Sequence, residues 1–181
     1  MNFLGLPAVE IGLRYLERIG IDAIHAHVQS LAERLLEVLA QLRHANGAPA
    51  AVVYGPEGVV GRGATIAFNF LLPDGRIVDE RYVDFVARRH AISLRTGCFC
   101  NPGAGEIAFT ISSETLLGGD FTDAMSLDDY VAAIGLPSGG AVRASLGLAS
   151  NGRDVARFAR FAAEFVDLRA VPCDLPARTG C

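Results

Sequence analysis

Between residues 21 and 42, apolar side chains recur at intervals of three or four, and this spacing narrows the possible folds more than any other pattern in the chain. The pattern spans about six helical turns and predicts an amphipathic helix. Its members are Ile21, Ile24, Val28, Leu31, Leu35, Val38 and Leu42. His25, His27 and His44 lie in or beside this segment, and we expect them to be solvated and without a chemical role. A helix with one apolar stripe needs a second layer that buries the stripe.

Several short segments after this helix are predicted to form that layer. Residues 51–54 and 65–72 are rich in β-branched and aromatic side chains, as strands are. Residues 91–94 and 141–148 are predicted as further strands, and helical patterns separate them. The order predicts an α+β fold with a small antiparallel or mixed sheet and helices on one side.

A turn-prone segment that follows residues 91–94 carries two of the four cysteines, Cys98 and Cys100. A thiol on a loop that leaves a strand can reach a ligand, and the nearby cation Arg95 favours the nucleophilic thiolate. The alternative is that both cysteines pack as small apolar side chains. A zinc site is disfavoured because no second Cys/His pair has ligand spacing. A structural disulfide is disfavoured because nothing else marks a secreted scaffold.

Composition excludes several classes of function. The net charge is −4 and no basic stripe is present, which argues against nucleic acid as a partner. All 16 basic residues are arginine, so the chain contains no lysine for a P-loop or a Schiff base. No stretch has the pattern of a secretory peptide or the roughly 20 apolar residues of a membrane span. We therefore expect a cytoplasmic setting and no membrane partner.

Arg143 is the second candidate site residue. In the strand predicted at 141–148, alternation places Val142 and Ala144 on one face and Arg143 on the other. An arginine in this position is most often solvated or paired with a surface acid. Its guanidinium can also hold a carboxylate through two parallel hydrogen bonds. By position alone, the solvated or surface-paired interpretation of Arg143 is favoured.

Three segments carry a resemblance to a known family. They are RTGCFCNPGA at residues 95–104, VRASLG at 142–147 and RGATIAF at 62–68. Together they resemble the class V aminotransferase family, and within it the cysteine-desulfurase-like and molybdenum-cofactor-sulfurase-like members. The resemblance extends from about residue 4 to residue 168, and the cysteine loop is its most specific part.

The resemblance implies a function for the candidate residues. Cys100 matches the reactive cysteine, which takes sulfur from L-cysteine as a persulfide and leaves alanine. Arg143 matches the arginine that holds the substrate carboxylate, and Cys98 and Arg95 are possible assisting residues. The cofactor of the family is pyridoxal 5'-phosphate, and the resemblance places its binding residues outside this chain.

The resemblance also implies a domain organisation. Residues 1–46 would be a helical segment that links to a missing large domain, residues 47–170 the small C-terminal α+β domain, and residues 171–181 a tail. The expected partners are an amino-acid substrate, the large domain and a second copy in a homodimer of the complete enzyme. The sulfur acceptor is not identified by these residues. The alternative function is a non-catalytic module that binds a partner or carries sulfur.

Overall fold

The structure is a computed structural model that describes residues 3–97, 102–118, 125–136, 138–171, 175 and 177. The strands are β1 (Ala51–Tyr54), β2 (Thr65–Phe70), β3 (Arg95–Gly97) and β4 (Ala141–Ser145). The helices are α1 (Leu6–Ile19), α2 (Ile21–Gln41), α3 (Glu80–Arg89), α4 (Pro102–Phe109), α5 (Ser113–Leu117), α6 (Leu127–Ala133) and α7 (Gly152–Ala162). Short 3-10 turns occupy Phe3–Gly5 and Ala163–Phe165.

Within the described residues, the strands form one sheet in the order β1-β2-β4-β3, and every neighbouring pair is antiparallel. The predicted α+β fold is confirmed, with the antiparallel form of the sheet. The strand predicted at residues 91–94 is wrong, because the strand lies at Arg95–Gly97. The chain is still closing α3 at the predicted position: Ala91 has a φ of 53°, and the N–H of Ile92 donates to the carbonyl of Ala87.

The core lies between one face of the sheet and the helices α2, α3 and α7. Alternation along β2 sends Ile66, Phe68 and Phe70 to this face, and all three are fully buried. The ring of Phe70 stacks on that of Phe165, with centroids 4.1 Å apart. The helices contribute their own apolar stripes to the same cluster: Leu31, Leu35 and Leu39 from α2, Val83 and Val86 from α3, and Val155, Phe158 and Phe161 from α7.

His44 is a structural residue of this core. Its side chain is buried, and its Nδ1 accepts a hydrogen bond from the N–H of Asp167 at 2.9 Å. The N–H can only donate, so the ring proton is on Nε2, which donates to the carbonyl of Leu71 at 3.1 Å. The expectation that His44 is solvated is wrong, because α2 ends before it and the ring joins the end of β2 to the C-terminal segment.

The predicted helix at the start of the chain is present, but its apolar stripe is not covered by the described residues. None of the residues of α1 is buried. Val9 is 58% exposed and Leu13 is 56% exposed, although both are apolar and lie one helical turn apart on the same face of α1. Among the described residues, no helix combines the length and apolar content needed to cross a membrane.

The aromatic core predicts a large difference between two phenylalanine variants. Phe70→Ala removes a fully buried ring from the cluster and is expected to cost about 3–5 kcal/mol of unfolding free energy. Phe85→Ala is the matched control, because Phe85 is 57% exposed, and its cost is expected to stay below about 1 kcal/mol. Urea unfolding followed by circular dichroism measures both. Equal losses in the two variants would contradict the position of the core.

Candidate functional site

One row of side chains crosses the sheet on the face opposite the core. Tyr54 of β1 lies opposite Ala67 of β2. Ala67 lies opposite Arg143 of β4, and Arg143 lies opposite Arg95 of β3. Paired residues on neighbouring strands point to the same face, so the four side chains form one row. The alternation predicted for β4 is confirmed, since Arg143 is exposed and its neighbour Val142 is buried.

Arg95 and Arg143 bring two positive charges to adjacent positions. Side chains directly opposite each other on antiparallel strands have Cβ atoms about 4.5–5.5 Å apart. Both arginines are exposed, and within the described part of the chain neither forms an ion pair with a carboxylate. Their guanidinium N–H groups are therefore available to an anion, and a carboxylate matches the guanidinium fork in shape and charge.

Tyr54 ends this row at the other edge of the sheet. Its ring contacts the ring of Phe109 of α4 edge-on, with centroids 6.1 Å apart. Burial raises the pKa of Tyr54 to about 12, so its phenol stays neutral at physiological pH. The row therefore combines one neutral phenol with two guanidinium groups, and Phe109 brings α4 to the same face.

The cysteine loop leaves the sheet beside Arg143. Gly97, the last residue of β3, lies opposite Ala141, which is two residues before Arg143 on β4. Two residues of strand span about 6–7 Å. Gly97 has a φ of 116°, which a residue with a Cβ rarely adopts. Cys98 follows Gly97 directly and Cys100 comes two residues later. Both lie outside the described residues, as do Cys173 and Cys181.

A buried polar network fixes the start of β4. Asn69 donates from Nδ2 to the carbonyl of Gly140 at 3.1 Å. The hydroxyl of Ser138 donates to the carboxylate of Glu80 at the start of α3 and accepts from the N–H of Gly140 at 3.4 Å. All three side chains are buried. The network sets the position from which β4 carries Arg143 to the outer face.

Arg62, in the segment that resembles the family at residues 62–68, has a structural position. Its side chain is mostly buried and donates to the carbonyls of Tyr54, Pro56 and Gly58. These bonds close the glycine-rich loop between β1 and β2. The loop joins two antiparallel strands, so it lacks the strand-loop-helix arrangement of a dinucleotide phosphate cradle.

A cavity of about 190 Å³ lies between residues 91–94, the end of β4 and the start of α7. Two of the polar side chains that line it, Ser150 and Asp154, are engaged in local structure. The Ser150 hydroxyl accepts from the N–H of Gly147 at 3.0 Å, and the Asp154 carboxylate accepts from the N–H of Asn151 at 2.9 Å as part of the α7 cap. The cavity therefore offers less to a ligand than the arginine row.

The sequence pattern singled out two residues of this row, but not the way in which they combine. Arg143 and Arg95 were both identified, whereas their pairing was not. Tyr54 and the Asn69 network were not identified as parts of the site. Alternation along β2 places Asn69 on the polar face, and this was the available signal. The strand register was not available, because it depends on which segments pair.

The residues present do not fit pyridoxal 5'-phosphate by themselves. The chain contains no lysine, so no Schiff base to that cofactor can form within it. Among the described residues, no cluster of three or more His, Cys, Asp or Glu side chains could hold a metal ion. The cationic side chains exposed in the described row are the guanidinium groups of Arg95 and Arg143.

The raised pKa of Tyr54 predicts an alkaline loss of stability. The folded state holds the pKa at about 12, above the ordinary value of about 10 for a tyrosine, so this contribution to stability is complete below about pH 10 and is lost as the pH rises towards 12. With no lysine in the chain, tyrosines and cysteines are the side chains that titrate in this window. Tyr54→Phe is expected to flatten the fall in unfolding free energy between pH 10 and 12, measured by urea unfolding at each pH.

Tyr15→Phe is the control for that experiment, because it removes a phenol that is half-exposed on α1. The fall in unfolding free energy between pH 10 and 12 should persist in this variant. Absorbance at 295 nm identifies the tyrosine that titrates late. Unchanged alkaline behaviour in Tyr54→Phe would show that this phenol is not shielded by the sheet and α4.

Comparison with known proteins places this chain in a family. Residues 1–158 match the family described as Aminotransferase class-V. Molybdenum cofactor sulfurase of Arabidopsis thaliana is 35% identical over 164 residues, which are 88% of this chain and 20% of that protein. The Homo sapiens protein of the same name is 36% identical over 171 residues, 89% of this chain and 19% of that protein.

A solved structure agrees with the fold. The apo structure of a cysteine desulfurase from Thermococcus onnurineus NA1 aligns with a TM-score of 0.57 at 22% identity, over 86% of this chain and 29% of that one. The chain spans about a fifth of the length of the curated relatives it matches. Because the family match covers residues 1–158, this chain belongs to the class V aminotransferase family.

Proposed function

We propose that this chain is the sulfur-accepting and carboxylate-binding part of a pyridoxal-phosphate-dependent cysteine desulfurase or sulfurtransferase. The observation that supports this most is the position of Arg143. It is exposed on the outer face of the sheet, about 6–7 Å along β4 from the point where the cysteine-bearing loop begins. A substrate whose carboxylate is held at Arg143 lies close to Gly97, the residue from which the chain continues to the cysteines.

Arg143 binds the carboxylate of L-cysteine, and Cys100 accepts its sulfur. The Cys100 thiolate forms an S–S bond to the substrate sulfur while the substrate C–S bond breaks. The carbon keeps that electron pair and takes a proton, so the products are a Cys100 persulfide and alanine. Cys100 stands two residues before α4, and the N–H groups at a helix N-terminus favour negative charge nearby. Cys98 and Arg95 assist this step.

The cofactor chemistry belongs to protein outside these residues. Pyridoxal 5'-phosphate supplies an electron sink when bound, and the lysine-free chain does not hold it. A large domain that carries the cofactor, joined through residues 1–46, is the proposed complement to the small domain at 47–170 and the tail at 171–181. The uncovered apolar stripe of α1 supports such a neighbour. We expect the complete enzyme to be a cytoplasmic homodimer.

Cysteine variants test the nucleophile. The first measurement is the intact mass of the native gene product from its own cells. A mass above that of these 181 residues would identify a longer protein, and that protein is the form to assay with pyridoxal 5'-phosphate and L-cysteine. Cys100→Ala is expected to lower persulfide and alanine formation by at least about 100-fold, because no other thiol replaces the nucleophile. Cys98→Ala, the matched control, is expected to retain activity within about 10-fold. Persulfide that still accumulates in Cys100→Ala would refute the assignment.

An arginine variant tests the carboxylate site in the same enzyme. Arg143→Gln removes a charge-assisted pair of hydrogen bonds and is expected to raise KM for L-cysteine by about 10- to 100-fold. Arg169→Gln makes the same charge change at an exposed position near the C-terminus and is the control. A variant Arg143→Gln with unchanged KM would place substrate recognition elsewhere.

The second candidate function is a non-catalytic module that binds a partner or carries sulfur loaded on Cys100 by another protein. The exposed apolar helix α1 is the observation that favours it. Gel filtration with and without a lysine-bearing class V large domain separates the two functions. A stable complex that gains desulfurase activity supports the enzyme, whereas a monomer that ignores the large domain supports the module.

A further inference from the structure

We propose that Arg95 and Arg143 form one two-guanidinium site for the carboxylate of a small molecule, and that an occupied site fastens β3 to β4. The proposal deepens the proposed function, on which it rests for the identity of the carboxylate as that of an amino acid. It adds a specific contact of Arg95 with the same anion as Arg143 to the assisting role of Arg95 as a cation near the thiol.

The register brings the two side chains to one anion. Arg95 and Arg143 are direct partners across the β3–β4 pair, and both are exposed on the outer face. A carboxylate has about four lone-pair sites on two oxygens. One guanidinium can take two of these sites in a bidentate pair, and the second guanidinium can take the others from the neighbouring strand.

The charges of the row make an empty site unfavourable. Like charges directly opposite each other on antiparallel strands destabilise the pair. The other members of the row, Ala67 and Tyr54, carry no negative charge that would compensate at neutral pH. Within the described residues, no carboxylate forms an ion pair with either arginine. A bound anion attracts both guanidinium groups, and this attraction offsets the repulsion between them.

The limited pairing of β3 explains why binding of an anion is expected to stabilise this strand. β3 has three residues, and among the described strands it pairs with β4 alone. Its last residue, Gly97, leads directly into the segment that contains Cys98 and Cys100. A carboxylate that bridges Arg95 and Arg143 adds a second tie between the strands, at the far end of β3 from the cysteines. Binding of the substrate carboxylate therefore steadies the strand that presents the thiol.

Stability measurements on the purified 181-residue chain test the pair without cofactor or thiol chemistry. At low ionic strength, Arg95→Gln and Arg143→Gln are each expected to raise Tm by about 1–3 °C, because each removes the repulsion. Sodium acetate should raise the Tm of the parent chain above its value in sodium chloride of equal ionic strength. This acetate effect should disappear in both variants and persist in Arg169→Gln, which controls for net charge and for general effects of the salt.

Hydrogen exchange tests the second half of the proposal. Acetate is expected to slow amide exchange at Arg95–Gly97 in the parent chain and in Arg169→Gln, with no slowing in Arg95→Gln. Arg95→Lys separates charge from shape, because it keeps the repulsion but loses the fork, and it should lose most of the acetate effect without a gain in Tm.

Sodium phosphate is the second arm, and a response to phosphate with none to acetate would overturn the carboxylate assignment.

Two results would overturn the proposal as a whole. The first is that Arg95→Gln and Arg143→Gln have the same Tm as Arg169→Gln, both in sodium chloride and in sodium acetate. The other is acetate protection of β3 that survives in Arg95→Gln. These failures are distinct from failure of the proposed function, which is decided by persulfide on Cys100. An acetate effect with no role for Cys100 would leave the arginine site in place and remove the desulfurase.

Discussion

The site depends on the aromatic packing between β2 and the C-terminal helical region. Phe68 packs edge-on against Phe158, and Phe70 stacks against Phe165. Each fully buried side chain of this kind contributes about 1.5–3 kcal/mol. Because successive residues of a strand point to opposite faces, this packing decides which residues of β2 and of its neighbour β4 face solvent. Arg143 is exposed on the outer face because Val142 and Ala144 are held in the core.

Some of this arrangement follows from local pattern and some does not. The strand at 51–54, the face of Arg143 and the Asn151 cap of α7 were predictable, since each rests on alternation or on a capping residue within a few positions. The pairing of Arg95 with Arg143 was not, because residues 48 positions apart are brought together by strand register. Register is set by the whole sheet and cannot be read from either segment.

The two wrong expectations have local causes. The strand before the cysteines was predicted four residues too early, because the apolar pattern at 91–94 resembles a strand although α3 ends through a turn there. His44 was expected in solvent because the amphipathic pattern continued to Leu42. The helix ends at Gln41, and the extended residue that follows turns the chain so that the imidazole enters the core. In both cases the end of a helix decided the outcome, and helix ends are weakly encoded in apolar spacing.

The length and charge of β3 also affect how the molecule can associate. An open sheet edge offers unpaired backbone groups to a strand of another molecule, and short charged edge strands resist this addition. β3 is three residues long and carries an arginine, so it is a poor template for strand addition. The exposed apolar side chains of α1 form a separate surface. At the β3 edge, the architecture therefore favours contacts through a helix face over strand addition, which protects this edge from aggregation.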